Sequence, residues 1–372
     1  MTFPAFTNAV PDNGYRWWYV DAVSDDSQHA LTIIVFIGSV FSPYYAWARK
    51  RGRTPALQHC SINVALYGSP ARWCMTERDE RSVKTHVSSM KVGNSRISVT
   101  DKCMQININE RAVPLPWKVK GQVRIPLLAH DLPAQPLDLP NKENARHFWQ
   151  PIAPHTRINV EMESPALQWQ GNAYVDSNHG DIPLESSFKS WTWSRSHEAN
   201  GDTSIHYKVL TRDGQTSCQN RKYTSDGQII ELDNSSETVL SPTRYFRIKR
   251  TANIEQNHRI EALQTLEDAP FYARSRYIEI DQGEIDQGEI HKGETDKGEI
   301  NLGEIDKRQL DKGETNSVKR KQEKNNAPDG MNPARSRTTV HESLDLDRFD
   351  SAWVRCLLPF RMPRITRPVL LT

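Results

Sequence analysis

WWYVDAVSDDSQHALTIIVFIGSVF, residues 17–41, holds the reading that decides the fold. Its second part, Leu31 to Phe41, is the longest apolar run of the chain. A membrane-crossing helix needs roughly 20 such residues, so this run is too short to be one. Its Ile, Val and Phe content favours a buried strand. The Ser24-Asp25-Asp26 step ahead of it is turn-forming. Strand, polar turn and buried strand make a first pair, and the pattern recurs along the chain.

HCSINVALYG (59–68) and ARWCMTER (71–78) flank a hairpin-like break at Ser69-Pro70. RISV, MQININ and QVRIPLL add short alternating segments. A proline-bearing loop over 129–145 follows, and HFWQPIAP then leads into TRINVEMES. LQWQGNAYVD, SFKSWTWSRS, TSIHYKVLTRDG, QIIELD and TRYFRIKRT continue as strand after strand. SPYYAWARKRGR is a short helical or loop piece with a basic end at Arg49, Lys50, Arg51 and Arg53. Long amphipathic helical patterns are scarce. The expectation is a mainly β protein, barrel or sandwich, in two halves. A flexible leader covers 1–14, the N-terminal domain 15–155, the C-terminal domain 156–364 and a tail 365–372.

DQGEIDQGEIHKGETDKGEINLGEIDKRQLDKGET, residues 281–315, repeats every five residues, with Arg308 in the slot that glycine holds elsewhere. Five matches neither helix nor strand period, and one Ile or Thr per unit is too little to bury a core. The polar NSVKRKQEKNNAPDGMNPARSR follows. Residues 282–336 therefore read as a disordered low-complexity insertion. It would lengthen a loop between two paired strands, which chain entropy tolerates.

The chain has 372 residues, enough for two domains of ordinary size. A formal charge of +2 excludes a field strong enough to make nucleic acid the main partner. Hydrophobic residues make up 37% and mean hydropathy is −0.69, lowered by the polar insertion. Ten Trp and eleven Tyr suit β structure around a large apolar pocket. Cys60, Cys74, Cys103, Cys218 and Cys356 are scattered and odd in number, against a disulfide framework or a structural zinc site. A reducing cytoplasm is the simplest compartment, and no signal peptide is expected.

The candidate chemistry lies in AYVDSNHGD, residues 173–181. An apolar lead runs into Asp176, Asn178, His179, Gly180 and Asp181, which reads as a turn, a metal loop or an acid/base site. The calcium-loop pattern fails, because Gly180 comes one position early and no Glu closes the loop. His179 and His155 lack partners at ligand spacing, so no metal is expected. Tyr-Val-Asp occurs twice, at 19–21 and 174–176. Either a duplicated β architecture or a common strand sequence accounts for that.

FIGSVFSPYYAWAR (36–49), RWCMTER (72–78), FWQPIAPHTRINVE (148–161), YVDSNHGDIPLE (174–185), TLEDAPFYARS (265–275), VHESLDLDRF (340–349) and LLPFRMPR (357–364) together resemble the carotenoid 1,2-hydratase, or hydroxyneurosporene synthase, family. The resemblance runs from about 15 to 364 and skips the insertion. It implies two lipocalin-like β-domains. It also implies a lyase that adds water to the terminal double bond of acyclic carotenoids such as neurosporene and lycopene, with no cofactor. The family's His-x-Trp and Tyr-x-Asp pairs map to His147 and Trp149, and to Tyr174 and Asp176.

Such a reaction needs a strong proton source, a base for the water and a shield for a tertiary cation. Asp176 is expected to be the acid, its carboxyl kept protonated by burial. Trp149 and Tyr174 are expected to face the cation with their π-clouds. His147 would hold the water, accept its proton or orient Asp176. His179 and Asp181 are supporting candidates, and Asp21 is a second carboxyl at the matching place in the first triplet. A non-catalytic lipocalin-like carrier of an apolar ligand is the competing reading. A metal-dependent hydrolase using His179 and Asp181 is a third.

The expected partners are an acyclic carotenoid, water and a membrane surface met peripherally on its cytoplasmic side. Contact with other carotenoid-pathway enzymes goes with the resemblance. The basic cluster at 49–53 and the tail LLPFRMPRITRPVLL are either docking elements or solvated loops and a packed strand end.

Overall fold

The computed structural model describes residues 3–127, 132–138, 144–232, 235–282 and 336–366. The expected disordered segment, but for its end residues Gln282 and Ser336, lies outside the described residues, as does the tail from 367. In chain order the N-terminal elements are β1 (Tyr15–Ser24), β2 (Ala30–Ile37), α1 (Pro43–Arg51), β3 (Cys60–Tyr67), β4 (Arg72–Arg78), β5 (Val83–His86), β6 (Ser89–Val92), β7 (Ser95–Val99), β8 (Cys103–Arg111), β9 (Lys118–Pro126), β10 (Gln135–Pro136), β11 (His147–Ser164) and β12 (Ala166–Gly180). After them come α2 (Leu184–Ser187), β13 (Phe188–His197), β14 (Thr203–Thr211), β15 (Thr216–Tyr223), β16 (Ile229–Glu231), β17 (Ser235–Leu240), β18 (Arg250–Glu255), β19 (His258–Asp268), β20 (Tyr272–Asp281), β21 (Ser336–Asp345), α3 (Leu346–Asp350), α4 (Ala352–Arg361) and β22 (Arg364–Ile365). The fold is mainly β, as expected.

The opening stretch forms the hairpin β1–β2, with Tyr19 opposite Ile34 and Val23 opposite Ala30. Both strands lie inside a 13-stranded sheet ordered β22-β4-β3-β2-β1-β12-β11-β9-β8-β7-β6-β5, with β10 attached to β11. This sheet curls over a first core. Val20, Ile33, Ile62, Cys74, Met90, Ile97, Ile106, Val123, Val160 and Val175 meet there from ten strands. A second sheet, β16-β15-β14-β13-β21-β20-β19, packs on the outer face of the first.

β1 shows why the apolar run is continuous. Trp18, Val20 and Ala22 enter the first core, while Tyr15, Trp17, Tyr19 and Val23 enter the second. Successive side chains point to opposite faces, so a strand covered on both sides loses its polar alternation. Each fully buried side chain of this kind stabilises the fold by roughly 1.5–3 kcal/mol.

Two expectations are corrected. The leader is docked from Phe3 on: Phe6 is buried, its ring centroid is 4.5 Å from that of Trp18, and Trp18 Nε1 donates to the Pro4 carbonyl at 3.2 Å. Its two phenylalanines give it apolar surface to bury. The boundary at residue 155 falls within β11, which stays in the first sheet; the chain enters the second sheet only after Gly180. HFWQPIAP and TRINVEMES form that one strand, and the register shifts at Pro151/Ala153 and Ala153/Thr156 absorb prolines that cannot donate to the ladder. Of the readings open for AYVDSNHGD, the structure excludes the turn, because β12 holds its pairing to Gly180.

The two Tyr-Val-Asp triplets are direct partners. Tyr19 lies opposite Asp176, Val20 opposite Val175 and Asp21 opposite Tyr174. The two valines face the first core, while Tyr19 and Tyr174 lie in the second, between the sheets.

α1 starts where Ser42 accepts hydrogen bonds from the Tyr44 and Tyr45 amides and Pro43 occupies the first turn. It ends at Gly52, whose φ of 144° favours glycine. Farther along β12, Gly171 permits close approach to β1, since a Cβ there would lie 2.0 Å from the Val23 carbonyl oxygen. Gly171→Val is expected to destabilise the protein by about 1–3 kcal/mol, the usual range for overpacking. Urea denaturation measures this, and an unchanged midpoint would show that β12 has room to move.

Candidate active site

Asp176 lies on β12 at the second core and is 4% exposed. Its Oδ2 accepts two hydrogen bonds, from Tyr174 Oη at 2.8 Å and from Trp149 Nε1 at 3.0 Å. The Trp149 N–H also lies 3.0 Å from Tyr174 Oη, closing a three-membered cluster. Oδ1 is buried with no partner. Burial raises the Asp176 carboxyl to about 8, against the two donors, which favour the charged form. Glu342 and Asp21 add a smaller push upward. Near neutrality Asp176 is therefore mostly a protonated acid. Because Oδ2 already receives two N–H or O–H donors, Oδ1 is the oxygen that carries the proton.

Asp176 lines a hollow between the sheets. Its aromatic walls are Trp17, Tyr19, Trp191, Trp193, Tyr207 and Tyr272. Phe41 is a further aromatic wall, and Ile34, Asn178 and Glu342 complete the hollow. Ile34, Phe41 and Tyr272 are shared with a second hollow, whose far wall includes Leu358, Arg361 and Met362. The two form a cleft that runs from Asp176 toward α4.

Asp176, Tyr174 and Trp149 come together, but in roles other than those expected of the two aromatics. Neither Trp149 nor Tyr174 lines the hollow. They turn their polar edges to Asp176, and the π surfaces around the hollow come instead from β1, β13, β14 and β20.

His147 stands apart from this cluster. Its Nδ1 is 2.9 Å from Tyr15 Oη and its Nε2 is 2.8 Å from Ser187 Oγ. Both ring nitrogens are thus engaged, and neither meets Asp176. Burial lowers its pKa to about 4, so the ring is neutral. Gly180 makes this packing feasible, since a Cβ there would lie 2.7 Å from His147 Nδ1 and from the Tyr15 ring. His147 thereby pins the start of β11 to β1 and to the entry of the second sheet.

The supporting candidates are elsewhere. His179 stacks on Phe148 with centroids 5.1 Å apart, and burial lowers its pKa to about 4. Asp181 pairs with Arg146 at 2.6 Å on the surface. Asp21 is no second acid. It is ion-paired with Arg195 at 2.6 Å and with Arg274 at 3.0 Å, all three side chains being buried. Among the described residues, no group of three or more His, Cys, Asp or Glu side chains could hold a metal ion.

Sequence reasoning missed Glu342, Arg274 and the wall aromatics. One signal was available. Glu342 sits between Val340 and Leu344 on the core face of β21, a carboxyl in an apolar alternation.

A buried acid with one free oxygen, opening on an aromatic hollow between two β-sheets, defines an acid-bearing pocket for an apolar ligand. The chain belongs to the carotenoid hydratase CrtC family, whose profile matches residues 33–292. It is 38% identical over 363 residues to an acyclic carotenoid 1,2-hydratase from Thiocapsa roseopersicina, covering 97% of this chain and 76% of that relative. It is 44% identical over 276 residues to a protein of the same name from Rubrivivax gelatinosus, covering 73% and 66%. A crystal structure from Nitrosomonas europaea that carries the name AttH shares the fold, with a TM-score of 0.52 and 13% identity over 75% of this chain and 91% of that one.

The Asp176 proton has a consequence for stability. The folded chain keeps it to about pH 8, whereas an unfolded chain loses it near pH 4. Between those limits the folded state binds the extra proton, so wild-type stability falls as pH rises through the window. Asp176→Asn lacks this dependence. Its stability relative to wild type is expected to rise by several kcal/mol between about pH 4 and about pH 8. Denaturant titrations at the two ends test it, and a constant difference would place the ionised carboxylate in the fold throughout.

Proposed function

We propose that this chain hydrates the terminal C1=C2 double bond of acyclic carotenoids such as neurosporene and lycopene, giving 1-hydroxy carotenoids. The observation that carries the reading is the buried Asp176 carboxyl, with one oxygen unpartnered, at the aromatic hollow. Asp176 Oδ1–H protonates C2 and leaves a tertiary cation at C1. The rings of Trp17, Tyr19, Trp191, Trp193, Tyr207 and Tyr272 surround it, and a ring that turns its negative face to the cation attracts it more as charge develops. Trp149 and Tyr174 receive the new carboxylate with two hydrogen bonds already in place. Water adds at C1. The net change is one H and one OH, with no change of oxidation state, so the chemistry calls for no redox cofactor.

A carrier for an apolar ligand would share the hollow. It would gain nothing from a buried acid, whose desolvation costs stability at alkaline pH. The hydratase reading accounts for Asp176 and for the two donors on it.

The enzyme is further proposed to meet the membrane peripherally, on the cytoplasmic side. Five free cysteines fit a reducing compartment. α4 supports the docking reading. Val354 and Leu358 face inward, while Trp353, Leu357 and Phe360 are 49%, 45% and 80% exposed. This apolar stripe lies above the Leu358 and Met362 wall of the cleft. α1 packs against α4, and Lys50, Arg51 and Arg53 at and just past its end are exposed, Lys50 paired with Asp350 at 3.3 Å and Arg53 with Asp12 at 3.6 Å. Arg49 of the same cluster is buried against Glu185 at 2.7 Å and does not belong to that surface. Apolar insertion with a basic rim fits an anionic bilayer. Among the described residues, no helix is long and apolar enough to cross one.

Asp176→Asn is expected to lower formation of 1-hydroxylycopene by about 10²–10⁴-fold, the span of a general acid. Chromatography of lycopene incubated with wild-type and variant membranes measures this, and near-normal turnover would refute the acid assignment. Wild-type activity should fall as pH rises through about 8. In Tyr174→Phe and Trp149→Phe that limb should move to higher pH, because a donor favouring the carboxylate is gone. Trp353→Ser with Phe360→Ser should weaken co-sedimentation with anionic vesicles while leaving turnover of detergent-dispersed lycopene intact. Equal co-sedimentation would dismiss α4 as the docking face.

A further inference from the structure

The hollow contains a second carboxyl, Glu342. Its Oε1 accepts from Tyr19 Oη at 2.8 Å, from Tyr272 Oη at 2.8 Å and from the Arg274 guanidinium. None of the three donors falls on Oε2, and Glu342 lines the hollow with Asp176. Arg274 is fully buried and shared with Asp21 at 3.0 Å. Burial raises the Glu342 carboxyl, while Arg274 and the two tyrosines oppose that rise. Asp176 has no cation beside it. One hollow therefore contains two buried carboxyls with different neighbours, Asp176 among neutral donors and Glu342 against a guanidinium. A cation beside a carboxyl favours its charged form, so Glu342 is the better placed of the two to accept a proton. Trp193 lines the same hollow, and its Nε1 is buried without a partner.

We propose that Glu342 is the base that holds the attacking water and takes its proton, with Trp193 Nε1 donating to that water. The inference rests on the hydratase reading above. The Asp176 Oδ1–H bond breaks and the alkene π pair forms a C2–H bond, leaving C1 cationic and Asp176 a carboxylate. A lone pair of the water then forms the C1–O bond, and one water proton passes to Glu342 Oε2. The product is a neutral tertiary alcohol beside a protonated Glu342. Transfer of that proton back to Asp176 through solvent restores the starting state. Asp176 is poorly placed to act as this base. Trp149 and Tyr174 occupy Oδ2, and Oδ1 faces the newly formed C2–H bond.

The test uses the full-length chain with dispersed lycopene in D2O, reading both 1-hydroxy product and deuterium in recovered alkene. Glu342→Gln should lose hydration by about 10²-fold or more. It should still place deuterium in the recovered alkene, because Asp176 forms the cation and the uncaptured cation reverts by losing a proton. Asp176→Asn should do neither. Trp193→Phe leaves the Glu342 ion pair intact and should lower hydration about tenfold with exchange retained. It decides the matter if Glu342→Gln does not fold.

Hydration at the wild-type rate in a folded Glu342→Gln overturns the proposal. So does a folded, lycopene-binding Glu342→Gln that neither hydrates nor exchanges, since that outcome makes Glu342 structural. An unchanged ratio of product to exchange in Trp193→Phe removes the indole from the step and, with Glu342→Gln unfolded, overturns the proposal. A wild type that gives neither product nor exchange overturns the hydratase reading itself.

Discussion

The buried ion cluster of Asp21, Arg195, Arg274 and Glu342 is the constraint on which the rest of the structure depends. Asp21 is on β1 of the first sheet. Arg195, Arg274 and Glu342 come from β13, β20 and β21 of the second. Two guanidiniums taken out of water must find carboxylates, and removing one partner of such a group typically costs about 3–5 kcal/mol. The sheets can thus meet in one register only, the one that brings Asp21 under both arginines. That register sets which aromatic rings face each other and where a hollow is left between them.

The cluster also divides two identical triplets. Tyr19-Val20-Asp21 and Tyr174-Val175-Asp176 are antiparallel partners. Asp21 lies under the two arginines, at 2.6 Å from Arg195 and 3.0 Å from Arg274, in a structural ion cluster. Asp176, on the neighbouring strand, meets only neutral donors and keeps its proton. The tyrosines diverge likewise, Tyr174 donating to Asp176 and Tyr19 to Glu342. The acid character of Asp176 is thus absent from its own segment and arises from what the second sheet places over each strand.

This explains how far the sequence could be read. Strands were legible because β1, β2 and β3 carry apolar residues on both faces. Asp176, Tyr174 and Trp149 were legible through resemblance, which preserves residue types at set spacing. The direction of a side chain is another matter. A Trp beside an acid reads as a π surface, yet its N–H is what the buried carboxylate oxygen requires. Glu342 and Arg274 lie far from Asp176 in the chain, and Trp193 follows it on β13 in the other sheet; only pairing between and across sheets unites them. The leader misled because its composition resembles a loop, although Phe3 and Phe6 close the end of the first core.

β20 and β21 are adjacent antiparallel strands, with Ile280 opposite Ser336. At equilibrium this costs little, since loop-closure entropy grows only with the logarithm of the connection. In time it matters more. Contacts between positions far apart in the sequence form late, because the search precedes any reward. β21 brings Glu342 and pairs with both β13 and β20, so it seals the centre of the second sheet. Asp176, Trp149 and Tyr174 all sit on the β11–β12 hairpin, whose pairing is local. The proton donor can therefore be assembled early in folding while its cavity stays open on one side, and the pocket becomes a chemical enclosure only when the last strand arrives.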